Sequence, residues 1–147
     1  MSDLFELQLS LDLPKSLPQD DLNFLRWHLG QVPGEATAGL DSEAYGLLCI
    51  REPASRIGGL LLAELSRGPR GWALTARQEI HPDQFDALQT LLEWLATHTT
   101  TAGAVGSLRF LEEFVADALV VESGVIRRWS ARKPAAAEAD LLPGAEM

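Results

Sequence analysis

The chain has 147 residues, 46% apolar and 22% charged, with a formal net charge of −9 and a single cysteine, Cys49. That is the size and composition of one domain able to bury its own core. The acidic balance argues against nucleic-acid binding, which depends on Lys and Arg displacing counterions from phosphates. The lone cysteine excludes an internal disulfide framework and a multi-cysteine zinc site.

The N-terminus Met1-Ser2-Asp3 lacks the cationic start and apolar run of a signal peptide. No apolar stretch approaches the roughly 18 residues of a membrane span. The expectation is therefore a cytoplasmic protein with no membrane partner. Charge is uneven: residues 1–43 hold Asp3, Glu6, Asp12, Asp20, Asp21, Glu35, Asp41 and Glu43 against Lys15 and Arg26. This acidic front reads either as a solvated face that aids solubility or as a surface that docks a basic partner.

Residues 3–13 alternate, with Phe5, Leu7, Leu9, Leu11 and Leu13 on one side and Glu6, Gln8, Ser10 and Asp12 on the other. A period of two predicts a strand with one buried face and one face able to meet water. Pro14 ends it. Pro18 followed by Asp20 and Asp21 opens a helix, with Leu22, Leu25 and Leu29 as its stripe and Gly30 as its stop. Residues 31–45 read as loop, and Tyr45 to Ile50 as a short strand.

Residues 57–80 read as a β-hairpin: Ile57 to Leu65, a turn over Ser66 to Gly71, then Trp72 to Ile80. His81-Pro82-Asp83 opens a second helix, with Phe85, Leu88, Leu92 and Leu95 in line. A strand follows over 104–112, where Val105, Ser107, Arg109 and Leu111 form one set of side chains. Ala118 to Val121 and Val125 to Trp129 make a closing hairpin around Glu122-Ser123-Gly124. Residues 133–147, rich in Ala, Glu, Pro and Gly, form a tail expected to pack poorly on a single 1–132 domain.

The order β-α-β-β-α-β predicts an α+β fold: a ferredoxin-like βαββαβ arrangement with an antiparallel sheet, two helices on one face and a C-terminal β-hairpin. The other sheet face must then meet water, another element or a second subunit. Leu25-Arg26-Trp27-His28-Leu29-Gly30 closing the first helix and Thr75 to Pro82 leading into the second give a pattern that resembles small bacterial α+β proteins of unknown function. The resemblance covers roughly residues 3–130 and implies no activity.

Three groups of residues could carry chemistry. Arg26, Trp27 and His28 either complement the negative end of the first helix or form a rim site in which His28 exchanges protons, Arg26 holds an anion and Trp27 stacks. Arg77, Glu79 and His81, spaced by two, either pair across the sheet and cap the helix or form a proton-transfer site. Arg109 precedes Glu112 and Glu113, whose adjacency on a strand points them apart. Arg77 and Arg109 are expected to converge on one sheet face, with His81 as a polar group and Trp72 or Trp27 as an apolar wall.

No catalytic residue, metal site or cofactor is indicated: phosphate-loop, dinucleotide and zinc motifs are all missing, and His28, His81 and His98 lie far apart in sequence. The leading expectation is a non-enzymatic protein acting by association, as a homo-oligomer or with a protein partner. The alternatives are a small-molecule binder or enzyme of the dimeric α/β-barrel type with an anionic ligand, and an acidic inhibitor or immunity-type protein that blocks a basic site.

Overall fold

The computed structural model describes residues 3–31 and 46–130. Its elements run β1 (Phe5–Pro14), α1 (Gln19–His28), β2 (Leu62–Gly68), β3 (Gly71–Ile80), α2 (Phe85–His98), β4 (Gly103–Phe110), β5 (Asp117–Glu122) and β6 (Val125–Trp129). One 3-10 turn, Pro82–Gln84, leads into α2. The strands form one open, six-stranded sheet in the order β2-β3-β1-β4-β5-β6, antiparallel throughout. The tail 133–147 lies outside the described residues.

The alternation in β1 places it at the centre. Leu7, Leu9, Leu11 and Leu13 are all buried, whereas Gln8, Ser10 and Asp12 are exposed. Each leucine contributes on the order of 2 kcal/mol by leaving water. The leucines of both helices join them: Leu22 and Leu25 from α1 and Leu88, Leu91 and Leu95 from α2 belong to one core with the inward residues of β1, β3 and β4. The helices also touch, through Phe24 and Trp94 with ring centroids 5.0 Å apart. The core thus lies on one side of the sheet.

Helix α1 stops because Gly30 takes a positive φ of 75°. Its N–H donates to the Trp27 carbonyl, and the Gln31 N–H donates to Arg26, which satisfies the last carbonyls of the helix. At the start of α1, Pro18 is the extended residue before the first turn, one position earlier than the sequence implies.

The segment before β2 departs most from expectation. Strand β2 begins at Leu62, not Ile57, and the hairpin turn narrows to Pro69 and Arg70. Residues 46–50 form a turn and irregular chain rather than a strand, and Tyr45 lies outside the described residues. The reason is side-chain competition for the backbone. Gln78, 1% exposed on the inward side of β3, accepts from the Ile50 N–H and donates to the Ile50 and Leu62 carbonyls. Arg51 donates to the carbonyls of Leu29, Cys49 and Ala63. Together they strap residues 46–51 across the end of α1 and the margin of β2.

A register shift between Ala104 and Gly106 alters β4. Val105 turns into the core beside Leu108, so it does not share a face with Ser107 and Arg109 as strict alternation implies. Gly106 has no alternative residue at this point, since a Cβ there would collide with the Gln8 carbonyl. The strand ends at Phe110, leaving Leu111 and Glu112 in a turn.

Replacing Gln78 by Leu keeps the volume but strands three backbone groups. We expect a loss of about 2 kcal/mol in urea denaturation and faster tryptic cleavage at Arg51 and Arg56; unchanged cleavage would show that the strap is held by other contacts.

Candidate functional site

Arg77 and Arg109 do converge on the helix-free face, and a carboxylate missed in the sequence lies between them. Glu6 on central β1 sits across from Glu79 and Arg109 in the two ladders, while Arg77 sits across from Gln8. The Arg77 Nε donates to Glu6 Oε2 at 2.7 Å, and the Arg109 Nε donates to Glu6 Oε1 at 3.1 Å. Gln8 Nε2 adds a third bond to Oε2. The two arginines cover Glu6 so well that it is only 8% exposed, although alternation assigned it to the wet face. Burial on its own would raise the Glu6 carboxyl. The hydrogen bonds from both guanidinium groups, and then their charges, outweigh it and hold the group below the usual carboxylate range.

Each arginine also grips a loop. The Arg77 Nη1 donates to the Leu60 carbonyl. The Arg109 Nη1 donates to the carbonyls of Leu111 and Glu113. Glu79, two residues along β3, accepts from the backbone N–H groups of Ser55, Arg56 and Ile57 and from the Ser55 hydroxyl. Burial would raise Glu79, but these donors prevail and lower it. The cluster thus clamps residues 55–60 and 111–113 to one end of the sheet. It holds two guanidinium charges against two carboxylates, Glu6 and the facing Glu79, so its charges balance.

The remaining residues singled out in the sequence are dispersed. His81 is exposed at the start of the 3-10 turn, where its N–H donates to Gln84 Oε1. Trp72 lies on the helix side of β3, between the guanidinium groups of Arg26 at 5.5 Å and Arg67 at 5.4 Å. Trp27 is buried. Neither tryptophan therefore walls the arginine cluster. His28 is 4% exposed, edge-on to Phe24 and Trp27, and its Nδ1 accepts from the Leu47 N–H at 3.2 Å. Burial lowers its pKa to about 4, so the ring is neutral near pH 7. His98 stacks on Trp94 and reaches Asp21 at 3.3 Å.

The acidic front is divided in the fold: Glu6 is held by arginines and Asp21 lies beside His98, while Glu35, Asp41 and Glu43 lie outside the described residues. Among the described residues no cluster of three His, Cys, Asp or Glu is placed to hold a metal ion, and no helix is long and apolar enough to cross a membrane. Glu6 and Gln78 were missed because both act through strand register, which a single sequence does not display; the signal for Glu6 was a carboxylate among leucines facing two arginine-bearing strands. Comparison with known proteins found no matching family model, curated protein or solved structure.

His28 gives this fold an acid limit. As pH falls below 6.5 the unfolded chain binds a proton that the folded chain refuses until about 4. Stability is therefore complete above that window and declines through it, by at most about 3 kcal/mol. Denaturation between pH 7 and 5 should show this slope, and His28→Asn, whose amide oxygen still accepts from Leu47, should flatten it. The carboxylates lowered in the fold, Glu6 and Glu79, act further down, below their ordinary value of 4.5.

Proposed function

We propose that the protein works by association, pairing the helix-free face of its sheet with the same face of a second copy. The observation that carries this reading is the make-up of that face. Its middle is small and polar, with Ser10 opposite Thr75 and Asp12 opposite Ala73. Its margins carry exposed apolar side chains, Leu62 at 36% and Trp129 at 53%, beside Glu64 and Arg127. Small central side chains permit close approach, and apolar side chains at the margins exclude water around them. Arg77 and Arg109 are balanced on this face by Glu6 and Glu79, so its centre brings no net charge to a second copy despite the overall −9.

The order β2-β3-β1-β4, with both helices in one core, supports reading the first four strands as a ferredoxin-like βαββαβ unit extended by the β5–β6 hairpin. Sheet-to-sheet dimers of such units form a closed α/β barrel. Light scattering over a range of concentrations tests the reading. The mass should rise toward twice that of the monomer, and Ser10→Arg combined with Thr75→Arg should hold it at one chain. A wild-type monomer at every concentration overturns the proposal.

A second reading rests on the convergence of Arg77 and Arg109: the two guanidinium groups hold a small anionic ligand against the sheet. The expected result is a saturable rise in melting temperature with citrate that disappears in Arg77→Ala and Arg109→Ala. A rise that persists in both variants rejects this site. These variants leave the Ser10–Thr75 centre intact, so the two readings are tested separately.

A further inference from the structure

On the helix side of the sheet, behind the arginine cluster, a cleft of about 240 Å³ opens between the ends of β1 and β4 and the β4–β5 connection, lined by Phe5, Leu108, Phe110, Glu113, Val115, Asp117 and Arg128. We propose that this cleft is a binding site for a small organic cation, a primary ammonium or guanidinium carried on a short apolar stem. The proposal is independent of the association reading, which uses the opposite face.

The walls supply the apolar and aromatic half of such a site. Phe5 and Phe110 are cross-strand partners with ring centroids 5.2 Å apart, and Phe85 fixes Phe5 from its other side at 4.9 Å, edge-on. Their orientation is thus set by packing before any ligand arrives. Leu108 closes the floor and is buried in the core. Val115, 52% exposed, stands at the rim, where a stem would cover it.

The charges supply the other half. The lining includes two acidic residues, Glu113 and Asp117, and one guanidinium, that of Arg128, so it carries one more negative than positive charge. Arg128 shows how this site treats a cation: its guanidinium rests 5.8 Å from the Phe5 ring centroid while its Nε donates to Asp117 Oδ2 at 2.8 Å. A cation is thus already held by a carboxylate and a ring face together. That arginine engages Asp117. The Glu113 carboxylate makes no ion pair among the described residues and remains for a second cation.

Glu113 is also held in place. Its N–H donates to the Phe110 carbonyl at 2.9 Å, and its carbonyl accepts from Arg109 Nη1 at 2.9 Å. The backbone of the cleft's rim is thereby anchored from the far side of the sheet by the guanidinium that binds Glu6. Arg109 is a positioning residue for this site, since its bonds run to backbone rather than to the cleft.

Benzylamine is a suitable probe, with benzyl alcohol as its uncharged counterpart and benzoate as its anionic one, followed by calorimetry and by chemical-shift changes in labelled protein. Benzylamine should bind saturably, shift the amides of 110–117 and 128, and bind about tenfold more tightly than benzyl alcohol, with benzoate excluded. Glu113→Gln, which keeps the size of the side chain, should remove that preference. Phe110→Leu should weaken both benzylamine and benzyl alcohol while leaving the fold intact by circular dichroism. Equal affinity for the charged and neutral probes, or a charge preference that survives Glu113→Gln, overturns the proposal.

Discussion

Strict alternation over ten residues of β1 is the constraint on which the rest depends. It gives one strand two unlike sides and forces it into the middle of the sheet, paired with β3 on one margin and β4 on the other. Its leucines can leave water only if both helices cover the same side, so α1 and α2 meet above it. A shift of one residue in either ladder would turn those leucines outward. The Val105 bulge is tolerated because it follows the last residue of β4 paired to β1, toward Gly103, where β4 answers to β5 alone.

The opposite side of β1 works by electrostatics. A carboxylate hidden without partners would cost several kcal/mol, and two arginines remove that cost by supplying both charge and directed hydrogen bonds. The arrangement is also economical in chain order, since Arg77 and Arg109 reach Glu6 from the two neighbours of β1 and then extend to loops at 60 and 111–113. The central charge thus sets where those connections sit. Mutating Glu6 would disturb both loops as well as the three strands.

Much of the fold was legible in the sequence because it is written in period. The leucines of β1, the Leu88–Leu95 face of α2 and the Ser123-Gly124 turn act locally, and their patterns survive in one dimension. What was lost acts at a distance. Ile57 to Leu61 reads as strand because it is apolar, but Glu79 takes the N–H groups of 55–57 and Gln78 fixes Ile50 and Leu62, so the chain there serves side chains rather than a ladder. Arg77 and Arg109 were found from their place on adjoining strands; Glu6 was not, since its neighbours in sequence are hydrophobic or polar and its neighbours in space are 71 and 103 residues away. His28 reads either as a helix-end residue or as a proton carrier until its burial and the hydrogen bond from the Leu47 N–H to its Nδ1 are known.

The strap at 46–51 also changes the outer margin of β2. An end strand usually offers its carbonyls to any passing extended chain, which is how sheets grow into fibres. Here the acceptors at Leu62 and Ala63 are already engaged by Gln78 and Arg51. Since neighbouring carbonyls on a strand point to opposite margins, one of these two is a rim acceptor, and an extended chain docking there would first have to displace the side chain that holds it.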